Sequence, residues 1–253
     1  MAEERREEEY GSDISIKTPF LTKLENFWYH YKWHSIVAAF IIVAILVCTL
    51  QMCAKEPIDI HIMYAGNEEI SRRSGDGDIP EYNRIVSALS DFADDYNGDG
   101  NTVLTLSTYF QLTEEEIAKI EADPALEVNY TLLEQDRGAL EQRMAIGEYY
   151  LCLLSPFVYE QYKATGDGVS LFMPIAAYVK DGSSVEYYND YAVKLSSTAL
   201  YKSSPAVREI FGEDTDVIVA LRINSEMSAA FGGAESRELY RRAEDMLRRI
   251  LGE

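Results

Sequence analysis

The feature that most constrains this chain is an uncharged apolar run, SIVAAFIIVAILVCTLQMC, which covers nineteen positions from Ser35 to Cys53. At about 1.5 Å of rise per residue, a helix of this length nearly matches a hydrocarbon core of roughly 30 Å. Lipid offers the backbone no hydrogen-bonding partners, so such a segment is stable there only as a helix. The run predicts a transmembrane helix over residues 35–53, the alternative being a buried core helix of a soluble protein.

An apolar run that ends in cysteine also raises the alternative of a cleaved lipoprotein signal. Gln51 and Met52 precede Cys53, where a lipoprotein cleavage site requires small residues, and 34 residues precede the run. We therefore predict an uncleaved anchor.

The flanks of the run predict how the N-terminal region is organised. Residues 1–18 are rich in charge of both signs and are predicted to form a disordered cytoplasmic tail. Residues 19–34 place aromatic and aliphatic side chains at helical spacing and include the cluster FWYHYKW at 27–33. Amphipathic rings favour the membrane–water boundary, so this stretch is predicted to be an interfacial amphipathic segment.

Lysine and arginine predict the orientation of the anchor. Lys17, Lys23 and Lys32 precede the run, whereas Lys55 alone follows it closely. This bias predicts a cytoplasmic N-terminus, and it places residues 54–253 outside the cell as an extracellular domain.

Charge and cysteine content narrow the classes of partner. The chain has a net charge of −20, and 18 of the 23 Lys/Arg and 36 of the 43 Asp/Glu follow Cys53, a net charge of −18 there. A surface this acidic repels phosphate backbones, which argues against nucleic acid as a partner. Cys152 is the only cysteine after the apolar run, so the large domain has no disulfide framework.

Beyond residue 57 the sequence alternates between strand and helix patterns. Strands are predicted near 58–64, 103–110, 149–154 and 217–223, with a weaker candidate at 127–133 and two or three short strands within 166–203. Helices are predicted from Pro80, after a capping box at Thr113 and Glu116, before Gly147, over 157–162 and over 239–251. The pattern predicts an α/β fold with a mixed or mostly parallel sheet flanked by helices.

The sharpest local motif is the loop DYNGDGN at 95–101. Asp95, Asn97, Asp99 and Asn101 occupy the first, third, fifth and seventh positions of an EF-hand-like loop, with glycine at the sharp turn. The twelfth position holds Leu106, where a bidentate glutamate is expected. Two hypotheses stand: a calcium site, or a plain turn built from residues that tolerate left-handed backbone.

Catalytic motifs are scarce. The sequence contains no G-x-S-x-G elbow, no Walker loop and no dinucleotide fingerprint, and His61 is the single histidine after the apolar run. We therefore predict a protein that is not an enzyme, with a carboxylate-pair hydrolase as the least favoured alternative. Tyr187, Tyr188 and Tyr191 cluster in a polar stretch, either as a stacking surface or as partly buried rings.

Two segments resemble a known family. RMAIGEYYLCLLSPFVYEQY at 143–162 resembles a helix–strand–helix of type 2 periplasmic solute-binding proteins, and residues 193–224 resemble the later segment and buried strand of that fold. The whole chain is similar to uncharacterised single-span membrane proteins of Firmicutes with an extracellular domain of this kind. The resemblance implies a solute-binding α/β domain, either undivided or divided into two small lobes, and it assigns no individual binding residue.

The sequence thus predicts a membrane-anchored extracellular domain that binds a small solute or a partner protein at the cell surface. The alternative is a structural or accessory subunit of a cell-envelope or transport complex, whose membrane helix makes the functional contacts.

Overall fold

The computed structural model describes residues 19–53, 58–70, 80–147, 149–166, 168–180, 182–224 and 226–252. The predicted disordered tail, residues 1–18, lies outside these ranges. The chain divides into two units, one ending at Glu56 and one that comprises Pro57–Glu253.

The described part of the first unit is a single helix. Helix α1 spans Pro19–Cys53 without interruption, so the predicted interfacial segment and the predicted span belong to one 35-residue helix. Within it, Phe27–Thr49 has a mean hydropathy of 2.0, and none of this stretch is buried inside the protein. By length and composition, α1 is compatible with a single-pass membrane helix or a signal anchor.

The second unit is built on one sheet of six strands. The strands are β1 Ile60–Gly66, β2 Leu104–Phe110, β3 Leu151–Leu154, β4 Tyr187–Asn189, β5 Ala192–Lys194 and β6 Ile218–Leu221. Their spatial order is β2-β1-β3-β6-β5-β4. Strand β1 pairs in parallel with β2 and β3, whereas β6 pairs antiparallel with β3 and β5, and β5 antiparallel with β4. The predicted mixed α/β fold is confirmed.

Seven helices accompany the described sheet. They are α2 Pro80–Ser90, α3 Glu114–Ala122, α4 Tyr130–Ile146, α5 Pro156–Tyr162, α6 Ala199–Ser203, α7 Pro205–Phe211 and α8 Glu226–Leu251. Helix α8 is kinked at Gly233, where the backbone has a φ of 54°. Pro57–Glu253 forms one unit, and its described residues are built around one sheet, so they do not divide into the two small lobes of the alternative prediction.

The core lies on both faces of the sheet. On one face, side chains such as Ile62 pack with Ile85 of α2 and Met246 of α8. On the other face, Met63 packs with Leu140 of α4, among others. All four residues of β3 and all four of β6 are buried, which confirms the sequence interpretation of these strands as covered on both faces.

Local signals explain most of the helix boundaries. The predicted capping box forms at the start of α3, where the Thr113 and Glu116 side chains each accept a hydrogen bond from the other residue's backbone N–H. Gly147 ends α4 with a left-handed φ of 81°, as predicted. The strand predicted at 127–133 is wrong: the Asn129 side chain accepts a hydrogen bond from the N–H of Leu132 and caps α4, so this stretch begins the helix.

Candidate functional site

The sheet changes its winding direction at β1. The connection from β1 to β2 passes through α2 on one face, and the connection from β2 to β3 passes through α4 on the other face. Strand β1 lies between β2 and β3, and all three run parallel. Their carboxyl ends therefore lie at the same end of the sheet. In open α/β sheets, ligands bind outside the carboxyl ends of strands where the winding reverses.

A cavity of about 450 Å³ lies beside β2. Its walls come from the segment that follows β1, from the second half of β2, from α4 and from Tyr149, which precedes β3. The lining residues are Glu68, Glu69, Ile70, Ser107, Thr108, Tyr109, Phe110, Leu132, Asp136, Arg143 and Tyr149. We call this the edge cavity. Its volume falls within the range of about 300–1,000 Å³ typical of small-ligand pockets.

Hydroxyl groups and one guanidinium form the polar wall of the edge cavity. The Ser107 and Tyr149 hydroxyls share a hydrogen bond of 2.8 Å. Burial raises the pKa of the Tyr109 phenol, the neighbouring Tyr149 raises it further, and the Arg143 guanidinium opposes both effects. This wall therefore offers neutral donors and acceptors beside a single positive charge.

Carboxylates form the rest of the polar lining. Glu68, Glu69 and Asp136 line the cavity together with Arg143, so the lining carries an excess of negative charge. Burial raises the pKa of Glu68, and the negative charge of Glu116 adds to the shift. Within the described residues, Glu68 has no ion-pair partner.

A second cavity of about 280 Å³ shares the Glu68–Ile70 segment with the edge cavity. Its other lining residues are Glu81, Arg84, Glu209 and Ile210. Arg84 forms an ion pair with Glu209 across this cavity wall. Glu68 and Glu69 therefore line both cavities. The edge cavity also contains Arg143, and the second cavity contains Arg84.

Hydrogen bonds hold the shared segment at the end of β1. The Glu68 backbone N–H donates to the Tyr64 hydroxyl at 2.9 Å, and Tyr64 is fully buried. The Asn67 side-chain amide donates to Glu116 at 2.8 Å, which ties the segment to the first turn of α3. The position of Glu68 is therefore fixed by contacts on both sides.

The predicted calcium residues lie at the opposite end of β2. In the loop at 95–101, the Asp95 carboxylate accepts hydrogen bonds from the backbone N–H groups of Gly98, Asp99 and Gly100. Asn97 accepts one from the Asp99 N–H, and Asp99 one from the Asn101 N–H, both at 2.8 Å.

These bonds describe a turn that is stabilised by its own side chains. Leu106, at the twelfth position, is buried in β2. Among the described residues, no group of three or more His, Cys, Asp or Glu side chains is arranged to hold a metal ion. The calcium site stays a prediction.

His61 and Tyr188, one of the tyrosines that cluster at 187–191 in the sequence, make ring contacts. The half-buried His61 contacts the Tyr149 ring edge-on at 6.2 Å. Tyr188 packs edge-on against Tyr159 at 5.6 Å, whereas Tyr187 is exposed. These side chains are partly packed rings on and near short strands, and only Tyr187 presents a largely free ring.

The sequence did not identify the edge-cavity residues. Glu68 and Arg143 lie 75 positions apart in the sequence, and no sequence motif links them. The usable signal was positional, because Asn67, Glu68 and Glu69 directly follow a predicted strand whose carboxyl end lies at the sheet edge.

The chain matches no family model, no curated protein and no solved structure.

Proposed function

We propose that the protein is a membrane-anchored module whose extracellular α/β domain binds a polar ligand in the edge cavity and does not catalyse a reaction. The observation that carries this proposal is the cavity of about 450 Å³, which lies against the carboxyl half of β2 and holds Arg143 among hydroxyl and carboxylate groups. Hydroxyl, guanidinium and carboxylate groups at a concave site orient a polar ligand.

The chemistry of the lining supports binding over catalysis. Ser107 is the hydroxyl that could serve as a nucleophile, and its hydrogen-bond partner is the phenol of Tyr149. Among the described residues, no histidine, lysine or carboxylate is hydrogen-bonded to Ser107, so this pair lacks the general base that a nucleophilic serine requires.

The membrane anchor is the second part of the proposal. Helix α1 supplies a stretch long and apolar enough to span, and the lysine bias before it supports a cytoplasmic N-terminus. We expect alkaline phosphatase fused after Glu253 to be active in bacterial cells and green fluorescent protein at the same position to be dark. The reverse pair of results would contradict the extracellular assignment.

The resemblance to type 2 solute-binding proteins adds a mode of binding. A six-stranded mixed sheet with one winding reversal offers a binding edge within a single unit, without a second lobe. We propose that the ligand binds at this edge and is held by the Glu68–Ile70 segment and α4, both of which line the cavity.

Thermal stability of the full-length chain in detergent tests the binding proposal. Amino acids, sugars, short peptides and metal ions are added separately, and a ligand at about 100 times its Kd should stabilise the fold by about 2.7 kcal/mol. For a domain of this size, that corresponds to a rise in Tm on the order of 5 °C or more.

A pair of variants on one helix makes the test specific. Arg143→Gln removes the single positive charge of the edge cavity, so it should abolish the rise in Tm caused by a ligand that pairs with the guanidinium and should preserve the rise caused by a basic ligand. Arg137→Gln removes an exposed arginine of the same helix that pairs with Glu134, and it should leave the rise unchanged. If no class of ligand changes the Tm, the small-ligand proposal is wrong and the accessory-subunit alternative is favoured.

A further inference from the structure

Strand β2 is the first strand in the sheet order, and within the described residues it pairs with β1 alone, so its other edge is free there. In a parallel pair, alternate residues direct their backbone groups towards the partner strand. Phe110 pairs with Gly66, and the N–H of Gln111 donates to the Gly66 carbonyl at 2.8 Å. The even-numbered residues of β2, from Leu104 to Phe110, therefore direct their N–H and C=O groups to the free edge.

Two of these outward groups already have partners. The Leu106 carbonyl accepts a hydrogen bond from the Tyr82 hydroxyl at 3.0 Å, and the Phe110 N–H donates to the Asp136 carboxylate at 2.8 Å. Thr108 lies between them and is only partly buried. Within the described residues, its outward N–H and C=O have no hydrogen-bond partner.

The edge cavity lies against these unpaired backbone groups of Thr108. Its lining includes Ser107, Thr108, Tyr109 and Phe110, which are consecutive. Consecutive strand residues point to opposite faces, so the cavity extends around the free edge from one face of β2 to the other. Four strand residues span about 13 Å, which is room for a short extended segment beside β2.

The charge of the surroundings selects a basic occupant. Glu68, Glu69 and Asp136 outnumber Arg143 in the edge cavity. In the adjoining cavity Glu81 and Glu209 accompany Arg84, which is itself paired with Glu209. A Lys or Arg side chain placed beside Glu68 would supply the cation that this partly buried carboxylate lacks among the described residues.

We propose that the ligand of the edge cavity is an extended peptide segment carrying Lys or Arg, which pairs with Thr108 as an added strand next to β2 and places its basic side chain beside Glu68 and Glu69. The unpaired N–H and C=O of Thr108, together with the cavity, favour recognition by addition of a strand to the sheet. In this mode, backbone hydrogen bonds give affinity and side-chain pockets give specificity. This inference rests on the proposed function, since it names the ligand class of the same site. A second copy of this chain is a poorer occupant, because its net charge is −20.

The test uses the full-length chain in lipid nanodiscs and a phage-displayed library of random nonapeptides. Recovered peptides are synthesised with a fluorescent label, and their binding is measured by anisotropy. We expect enrichment of peptides with Lys or Arg. Methylation of alternate backbone nitrogens on one edge of such a peptide should weaken binding at least tenfold, because it removes strand pairing without changing charge.

Protein variants supply the complementary arm. Thr108→Pro removes the outward N–H and should weaken binding at least tenfold, and proline is tolerated on the outer side of an edge strand. Thr108→Val keeps the backbone donor and should bind within about twofold of the parent. Glu68→Gln with Glu69→Gln should weaken binding severalfold, whereas Glu115→Gln on the exposed surface of α3 should not.

Several results would overturn the inference. These are recovery of no peptide, equal recovery on the Thr108→Pro variant, or equal binding of the methylated and parent peptides. Should Thr108→Pro fail to fold, the methylated peptides still decide the matter on the parent protein. The peptide inference can fail while a ligand-induced rise in Tm still depends on Arg143. That combination would leave the proposed function intact and assign the cavity to a small solute.

Discussion

The carboxylate of Asp59 accepts a hydrogen bond of 2.9 Å from the backbone N–H of Val103, which lies 44 positions later in the chain. Its other oxygen accepts from the N–H groups of Tyr96 and Asn97 at 3.1 and 3.2 Å. Asp59 is fully buried, and Arg242 of α8 donates to its backbone carbonyl at 3.0 Å. One side chain before β1 thereby holds both ends of the loop that leads into β2.

We expect Asp59→Ala to lower the free energy of unfolding by about 2–4 kcal/mol, because three backbone N–H groups, two of them in the partly buried residues Tyr96 and Val103, would lose their acceptor. Asp59→Asn should cost less, since its amide oxygen can still accept. Denaturant titration of the full-length chain in detergent measures both, with the exposed Asp91→Ala as the matched control. A loss below about 0.5 kcal/mol for Asp59→Ala would show that water replaces the carboxylate.

The role of Asp59 shows what the sequence could not predict. The alternation of Ile58, Ile60 and Ile62 predicted a strand, and β1 is found there. It did not predict that Asp59 would be buried, because all three backbone donors come from a loop that is distant in sequence. The capping box at Thr113 and the end of α4 at Gly147 were predictable because each depends on residues within one turn.

The difference between local and distant contacts also explains the wrong strand prediction and the edge cavity, which the sequence did not predict. The sequence of 127–133 predicts a weak strand, whereas the Asn129 side chain caps α4 and the helix begins within this stretch. The edge cavity is lined by four separate parts of the chain, and its existence depends on how α4 packs over β2. Packing between distant elements has no local signal in a single sequence.

The Asp95 loop makes a prediction about pH. The backbone N–H of Gly100, and then those of its neighbours in the loop, hold the pKa of the Asp95 carboxyl below its ordinary value of 3.8. A lowered native pKa stabilises the fold above the ordinary value, and this contribution is lost as the pH falls through the native pKa. The parent should therefore have a higher Tm than Asp95→Asn at pH 6, and the difference should narrow below about pH 4. A difference that stays constant down to pH 2 would contradict this account.

Calcium can be tested on the same loop. If calcium binds, millimolar calcium should raise the Tm of the full-length chain, and Asp99→Ala should remove the rise, because Asp99 holds the fifth position of the loop. Magnesium at equal concentration is the control for charge screening. If neither the Tm nor the heat of titration changes with calcium, the loop acts as a turn alone.

The close approach of Tyr64 to Gly66 predicts that a larger residue at position 66 destabilises the end of β1, which leads into the Glu68–Ile70 segment. A Cβ on Gly66 would lie 2.7 Å from the Tyr64 hydroxyl, closer than real contacts allow. Gly66→Ala should lower the free energy of unfolding by about 1–3 kcal/mol through overpacking. The cost should be smaller in a Tyr64→Phe background, where the clashing oxygen is absent, and a double-mutant cycle by denaturant titration measures this coupling. Additive effects would mean that the backbone of β1 moves instead.

The last prediction concerns the guanidinium of Arg222, which is 3% exposed directly after β6. One terminal nitrogen donates to the Met144 carbonyl at 2.8 Å, in the last turn of α4. Among the described residues, its Nε and its other terminal nitrogen have no hydrogen-bond partner. Burial lowers the pKa of Arg222, yet an arginine remains protonated at neutral pH, so the protein holds a charge whose desolvation is poorly compensated.

Replacing such a charge by an apolar side chain of similar length is often neutral or stabilising. We therefore expect Arg222→Met to leave the free energy of unfolding unchanged or to raise it by about 1 kcal/mol. Arg222→Ala should lower it by about 2–4 kcal/mol, because the side chain is buried and reaches the last turn of α4, so truncation leaves a cavity there. Denaturant titration of both variants separates charge from volume. A loss of more than about 2 kcal/mol in Arg222→Met would mean that the guanidinium stabilises the fold through its charge and hydrogen bonds, since Met preserves most of the packing.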